Sequence, residues 1–298
     1  MCGIVTLAGE PSREMLNVLS VDVEDYFQVE AFARNVTRGQ WPSFTPRVER
    51  NAGRILELFA RHDTKATFFV LGWIAERFPR LVKEIAGCGH EIASHGFDHQ
   101  LLPRVTPEQF RVDIRRARDV LSGLTGQPIT GYRAPSFSIV RKTLWAFDIL
   151  AEEGFTMDSS VFPVHHDFYG IPDAPRGPHW HKTPGGNAIF EFPPSTVRVL
   201  NSNVGIAGGG YLRLAPYFLT RRGVRHINRQ EKQPAMIYFH PWEIDPDQPR
   251  IPASLRSRLR HYTNLARMER KLAMLLRDFR FAPLSEVCEQ LAVYRAGL

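Results

Sequence analysis

Cysteine is scarce in this chain: Cys2, Cys88 and Cys288 are the only three among 298 residues. An odd, widely spaced set builds no disulfide framework. No apolar run approaches the ~18 residues that span a bilayer, so no integral membrane segment is expected. The N-terminus lacks the basic stretch, apolar core and small-residue cleavage site of a secretory signal. These absences together lead us to expect a cytoplasmic protein. Zinc-finger spacings and aromatic-interleaved basic repeats are missing too, which argues against a nucleic-acid partner. No internal repeat is visible.

What is present suits a soluble globular protein. Hydrophobic residues make up 43% and charged residues 23%, ordinary values for such a protein. The length suits one α/β barrel-sized domain or two smaller ones. Net charge is +7, from 38 Lys and Arg against 31 Asp and Glu. That surface favours anionic partners such as acidic glycans, phosphate-bearing carriers or a membrane face.

Apolar β-rich stretches alternate with helical patterns about seven times, which predicts a parallel, distorted barrel. The first strand covers 16–23 and runs into Glu24 and Asp25. Strand alternation puts Asp22 and Glu24 on one face and Asp25 on the other. Residues 26–46 are irregular and aromatic, a loop over one barrel end. A helix follows over 48–60, then a strand over 64–72 and a helix ended by Gly87. A brief strand over 91–94 leads to His95 and His99, whose spacing equals one helical turn where the segment is helical. Thr106-Pro107-Glu108-Gln109 forms a capping box with proline at the first helical position, and that helix stops near Gly123. A strand end turned by its proline is expected over 131–137, a short strand over 155–160, and further strands over 189–194 and 235–242, the last ending on His240. Residues 163–188 read as a long excursion, and 205–211, with Gly208, Gly209 and Gly210 in a row, as a hinge or lid. The basic stretch 256–271 reads as one solvated helix, with membrane-surface or anionic-glycan contact as the alternative.

Polar residues collect at the strand ends: Asp22, Glu24, Asp25, His95, His99, Arg133, Asp158 and His240. In a barrel such ends share one face, so these residues can converge. One carboxylate with two histidines is a common catalytic zinc set that leaves a position for water. Zinc lowers the pKa of that water towards about 7. A second carboxylate can then take its proton, and a separate histidine can protonate a leaving amine. The His165-His166 and His179-Trp180-His181 groups lack an accompanying carboxylate and read as solvated loop.

From 16 to 242, in order, these residues resemble the polysaccharide deacetylases (the NodB-homology domain, carbohydrate esterase family 4). Ser20-Val21-Asp22-Val23-Glu24-Asp25 is similar to the first motif, usually Thr-Phe-Asp-Asp. His95-Gly96-Phe97-Asp98-His99 resembles the second, His-Ser/Thr-x-x-His. Arg133-Ala134-Pro135-Ser136-Phe137 resembles the third, Asp158 the acid of the fourth, and Ile237-Tyr238-Phe239-His240 the fifth. The resemblance implies Asp22 as catalytic base and His240 as general acid. Arg133 would orient the base, Asp158 would tune His240, and the backbone at Ser136 and Phe137 would hold the oxyanion. The metal, Zn2+ or another divalent ion, falls to His95, His99 and a carboxylate. Alternation favours Glu24 for that carboxylate, with Asp25 as the rival. Three positions depart from the family pattern. The acids of the first motif are not two adjacent aspartates, Gly96 stands where the family has Ser or Thr, and the tryptophan often seen in the fourth motif is missing.

The likeness is closer still to a subgroup encoded with exosortase and exopolysaccharide genes, through Tyr238-Phe239-His240-Pro241-Trp242-Glu243, Gln248-Pro249-Arg250 and His261-Tyr262. The expectation is therefore an α/β protein: a distorted (β/α)7-type barrel over 1–242 and a helical extension over 243–298 packed on it. Its function would be metal-dependent removal of N-acetyl groups from amino sugars of a bacterial exopolysaccharide or its precursor. The alternatives are an amidohydrolase acting on a small cyclic amide or formamide, and a non-catalytic glycan-binding protein. The partner expected is an N-acetylated glycan; sequence leaves the oligomeric state open.

Overall fold

A computed structural model describes residues 15–166, 169–183, 185–206 and 208–297. Cys2 and the N-terminal stretch screened for a signal lie outside them. Eleven strands occur among the described residues. They are β1 (Leu16–Val23), β2 (Thr67–Val70), β3 (Glu91–Ser94), β4 (Gly131–Tyr132), β5 (Met157–Asp158), β6 (His179–Lys182), β7 (Ala188–Glu191), β8 (Thr196–Val199), β9 (Ser202–Gly205), β10 (Met236–Phe239) and β11 (Arg280–Ala282). The main sheet runs β10-β1-β2-β3-β4-β5-β7-β6, and β11 pairs with the first residues of β1. Every pairing in it is parallel except β6 with β7. The sheet curls into a partly open α/β barrel, as the strand and helix alternation predicts.

β1 is buried on both faces, so its apolar residues do not spell a one-sided pattern. Alternation still sorts its side chains. Leu19, Val21 and Val23 join the apolar layer beneath the helices, whereas Val18 packs inside the barrel with Phe69, Ala93, Met157, Phe190 and Met236. Each such fully buried Val or Leu stabilises the fold by roughly 1.5–3 kcal/mol. Ser20 and Asp22 continue the inward row above Val18, which puts the first acid in the barrel mouth.

The outer helices are α1 (Val48–Arg61), α2 (Gly72–Arg77), α3 (Pro79–Gly87), α4 (Pro107–Thr125), α5 (Ala146–Glu152), α6 (Gly210–Leu214), α7 (Tyr217–Arg229), α8 (Leu255–Tyr262), α9 (Leu265–Asp278), α10 (Leu284–Gln290) and α11 (Ala292–Arg295). The expected capping box starts α4. The Gln109 amide donates to Thr106 Oγ1 at 3.2 Å, and the Thr106 amide to Gln109 Oε1 at 2.9 Å. The helix continues through Gly123 and ends on Gly126, whose φ of 68° supplies the left-handed cap.

Several local expectations change. The 163–188 excursion contains β6, and a β8–β9 hairpin follows it. The basic stretch is two helices, α8 and α9, broken at Asn264 with φ 62°. The glycine run is no free hinge. A Cβ at Gly208 would lie 1.6 Å from the Tyr238 carbonyl, and the two residues form a parallel bridge. Glycine is thus required where this segment closes against β10. Among the described residues no helix is long and apolar enough to cross a membrane.

Candidate active site

The mouth of the barrel is assembled from strand ends. β1 stops at Val23, and a tight turn with the Glu24 amide on the Asp22 carbonyl (3.0 Å) keeps both acids on the same side. His240 Nε2 lies 3.8 Å from Asp22 Oδ2 and 3.6 Å from Glu24 Oε1. His99 Nε2 lies 2.8 Å from Glu24 Oε2. Asp25 points elsewhere. Its carboxylate accepts the amides of Tyr26 (2.9 Å), Arg47 (2.7 Å) and Val48 (3.0 Å), so it caps the start of α1.

His95 and His99 do not sit on a helix. Gly96 (φ 73°) and His99 (φ 53°) are both left-handed, and the loop between them turns the two imidazoles together with ring centroids 5.7 Å apart. The amides of Gly72 and Trp73, at the start of α2, donate to the Gly96 and Phe97 carbonyls at 2.8 and 3.1 Å. From α4, Asp113 accepts the amides of Phe97 (2.8 Å) and Asp98 (3.2 Å). That carboxylate occupies the space a side chain at position 96 would need, since a Cβ there would lie 2.8 Å from Asp113 Oδ2. The loop is held by an acid from the neighbouring helix in place of the hydroxyl that Gly96 lacks.

Donor atoms of Glu24, His95 and His99 all lie within 4.8 Å of one another, and all three residues are buried. His95 Nδ1 donates to the Arg133 carbonyl at 2.8 Å, which leaves the Nε2 lone pair directed into the group. Burial, partly offset by the charge of Asp22, holds His95 at about 4, so it is neutral and able to ligate at pH 7. Glu24 Oε2 finds no hydrogen-bond donor among the described residues despite its closeness to His99. Burial works against the Glu24 carboxylate, but the facing histidines outweigh it and hold the acid at about 2. A buried carboxylate and two imidazoles whose ligand atoms lie this close together fit a divalent cation.

Arg133 is fully buried and fixes the base side of the site. Nη1 donates to Asp22 Oδ1 (2.6 Å) and Ser20 Oγ (2.8 Å), Nε to the Ser159 carbonyl (3.1 Å), and Nη2 to Ser159 Oγ (2.8 Å) and Met236 Sδ (3.4 Å). The guanidinium also lies 4.1 Å above the Phe69 ring. Removing either member of the buried Arg133–Asp22 pair strands the other charge. Ser136 and Phe137 follow with φ of 51° and 53°. The Phe137 amide donates to the Ala134 carbonyl at 3.0 Å.

Asp158 is not beside His240. Met157 faces the barrel interior, so the next residue on the strand points outward. There Asp158 accepts the Ser160 amide and hydroxyl, each at 2.7 Å, and pairs across the sheet with Glu191. Burial raises both acids, Glu191 well above the carboxylate range, and the two side chains share a hydrogen bond. The pair steadies Ser159 and Ser160, which contact Arg133 and the Ala134 amide.

His240 takes its partner from its own turn. Nδ1 lies 2.6 Å from Glu243 Oε1, and Arg213 Nη1 donates to Glu243 Oε2 at 3.2 Å. Burial opposes a charged imidazole, but the bond to Glu243 and the charges of Glu24, Glu243 and Asp22 raise His240 to about 9. Trp242 stacks on His240 with centroids 5.2 Å apart, and its indole N–H donates to Glu24 Oε1 at 3.2 Å. Glu243, Arg213, Trp242 and Asp113 are the residues that reading the strand ends missed. The spacing His240-Pro241-Trp242-Glu243 was the available signal, because one tight turn brings the acid back under the imidazole.

The fold is a partly open, largely parallel α/β barrel whose mouth carries a carboxylate and two imidazoles that could hold a metal ion. Comparison with known proteins makes this specific. Residues 42–155 match the family Polysaccharide deacetylase, and 159–289 match a domain of unknown function, DUF3473. A peptidoglycan-N-acetylglucosamine deacetylase of Bacillus cereus is 30% identical over 146 residues, 45% of this chain and 52% of that protein. The chain spans about half or less of the length of the curated relatives it matches. Among solved structures, a Mycobacterium smegmatis protein assigned to the polysaccharide deacetylases superposes with a TM-score of 0.61. It is 19% identical, with 99% of this chain and 95% of that chain covered. An allantoinase, Puue, has the same fold at a TM-score of 0.59 and 16% identity, with 93% and 90% covered. Residues 42–155 thus carry the likeness to the polysaccharide deacetylases, and the fold neighbours extend over nearly the whole chain.

Proposed function

We propose that the protein is a metal-dependent deacetylase that hydrolyses the N-acetyl groups of amino sugars in a glycan, in particular a bacterial exopolysaccharide or its precursor. The reading rests above all on the meeting of Asp22, Glu24, His95, His99 and His240 at one mouth, with Asp22 tied to Arg133 and His240 tied to Glu243. The peptidoglycan and chitooligosaccharide deacetylases among the relatives support the carbohydrate class. The exopolysaccharide assignment follows the subgroup motifs around His240, Gln248 and His261.

Glu24, His95 and His99 would hold the cation, and two nitrogens with one oxygen favour zinc. When bound, such an ion polarises the acetamide carbonyl and acidifies water. Asp22, with Oδ1 held by Arg133, keeps Oδ2 on the side of the mouth and takes the proton of the attacking water. The water oxygen bonds to the acetyl carbon and the C–N bond breaks. His240, its Nδ1 held by Glu243, then gives the Nε2 proton to the departing amine. The Phe137 amide is used inside its turn, so we assign the oxyanion contact to the Ser136 amide. A cavity of about 320 Å³ opens against His99, Phe27, Trp41 and Arg104, space for sugar units flanking the acetamide. We also take residues 243–298 as part of the same unit as the barrel, since β11 pairs with β1 and His261 stacks on Trp242. Residence in the cytoplasm belongs to the same reading, supported by the free thiols of exposed Cys88 and buried Cys288.

Acetate release should be measured on chitooligosaccharide, peptidoglycan fragments and an acetylated exopolysaccharide, beside a small cyclic amide. Release from a glycan that chelator abolishes, zinc restores and Asp22→Asn removes is the expected result. Turnover of the cyclic amide alone makes the protein an amidohydrolase. Glycan binding without metal or turnover makes it a binding protein.

A further inference from the structure

Acidic residues are missing from two long stretches of the chain, 192–230 and 248–268, which hold six and five arginines respectively. The described residues include ten large apolar side chains that are exposed, and eight of them fall in these two stretches. A soluble fold gains nothing from leaving such side chains in water, and their coincidence with acid-free basic sequence is the signal.

The two stretches meet in space. Arg213, on α6, donates through Nη2 to the Arg260 carbonyl on α8, and Asn264 Nδ2 donates to the Arg213 carbonyl at 3.3 Å. Leu214 therefore emerges beside α8, and α7 follows directly with Phe218 and Leu219 exposed on its first turn. On α8 the pair Leu255 and Leu259 lies one turn apart, 70% and 59% exposed, between exposed arginines. Only His261 of that helix is buried. The β8–β9 hairpin packs on α7, where Gly223 faces Val197 and Ile206, and carries Leu200 at its tip, 93% exposed with φ 53°. Of the acids near this face, Glu231 pairs with Arg176, Glu269 with Arg54 and Asp278 with Arg221, while Asp247 is exposed at the edge of the second stretch.

We propose that this face, formed by the start of α7, the outer side of α8 and the hairpin tip, docks the protein on an anionic lipid bilayer. Leucine and phenylalanine side chains would enter the headgroup boundary while flanking arginines such as Arg222 and Arg258 meet lipid phosphates. A soluble polyanion would satisfy the arginines and leave the apolar residues in water, which is why a bilayer fits better. His261 of α8 stacks on Trp242, which stacks on His240, so the docked face adjoins the barrel mouth. A substrate carried on lipid would then reach the site at the membrane. That consequence rests on the deacetylase reading; the docking does not.

The test is co-sedimentation of the full chain with vesicles of phosphatidylglycerol and phosphatidylcholine, against vesicles of phosphatidylcholine alone, with no substrate added. Binding should require the anionic lipid, weaken with salt, and drop about fivefold for each of Arg222→Glu and Arg258→Glu. Leu255→Ser with Leu259→Ser, and Phe218→Ser with Leu219→Ser, should each weaken it as well. Val112→Ser, an exposed residue on α4, should leave it unchanged. Circular dichroism and melting temperature confirm that each variant folds. No sedimentation at low salt, or binding that the apolar variants leave intact, overturns the proposal. Dextran sulfate binding that is insensitive to the leucine variants reassigns the face to an anionic polymer. A lipid-free dimer broken by Leu255→Ser reassigns it to a second copy of the chain. Because turnover is not read, failure here leaves the deacetylase reading standing, and failure of that reading leaves this one.

Discussion

Glu243 Oε1 lies 2.6 Å from Nδ1 of His240, three residues back along the chain and inside one turn of 3-10 helix. This contact orients the imidazole so that Nε2 faces the two acids of the first strand. Glu243 touches no reacting atom in the proposed chemistry; it is a positioning residue. Glu243→Gln should lower kcat about 10- to 100-fold with KM little changed. Glu243→Asp should recover part of the loss. Steady-state kinetics on an acetylated oligosaccharide checks the split, and an equal loss in KM would point to disturbed binding instead.

Arg133 and Asp22 form a fully buried pair whose halves depend on each other. Arg133→Met should destabilise the fold by about 3–5 kcal/mol, because Asp22 is left charged and without its donor. Asp22→Asn keeps a hydrogen-bond acceptor for Arg133, so it should fold while losing about 10²–10⁴ in rate. Urea unfolding beside acetate release separates the two effects.

The carboxylates of Glu24 and Asp25 are adjacent in sequence and have different work. Glu24→Gln should abolish tight zinc binding, read as metal content after dialysis. Asp25→Asn should leave zinc bound near one per chain. It should cost about 1–2 kcal/mol in stability, since the amides of Arg47 and Val48 lose a charged acceptor. Loss of metal in Asp25→Asn would reverse the assignment.

Gly96→Ser restores the hydroxyl of the family pattern, yet it should harm this protein. The position has φ 73° and its Cβ would meet Asp113. A loss of about 1–3 kcal/mol is expected, together with weaker zinc retention. Asp113→Ala should weaken retention about 10- to 100-fold without the backbone strain.

Glu153 predicts an acid-sensitive joint between α4 and the end of α5. Hydrogen bonds from Arg115 and Arg111 outweigh burial and hold it at about 2. An acid depressed in the folded state contributes stability above its unfolded pKa, and the contribution is lost as pH falls from about 4.5 towards 2. Melting temperatures of Glu153→Gln and the parent should therefore differ most at pH 5 and above, and converge near pH 2.

The strand ends were legible in the sequence because alternation is a local property. It set Ser20 and Asp22 inward on β1, and Glu24 beyond the strand end emerges beside Asp22. The same rule, applied to Met157 and Asp158, would have turned Asp158 away from the mouth, where it meets Glu191. The helix initiation at Thr106 was likewise readable, since a capping box uses neighbours four positions wide. His95 and His99 could be paired by spacing, but only the backbone shows that two left-handed residues, and not a helical turn, bring them together.

Tertiary structure alone decided the partners. Asp25 became a cap because α1 happens to begin beneath it, and Asp113 replaced a hydroxyl because α4 passes behind the histidine loop. Arg213, from a distant helix, came to hold the second oxygen of Glu243, whose first oxygen the local turn had already brought to His240. Sequence by itself determined which side chains could face the mouth of the barrel, since that depends on pleat and period. Which of them touch was left to elements far apart in the chain, because a hydrogen bond reaches about 3 Å and only packing brings such groups that close.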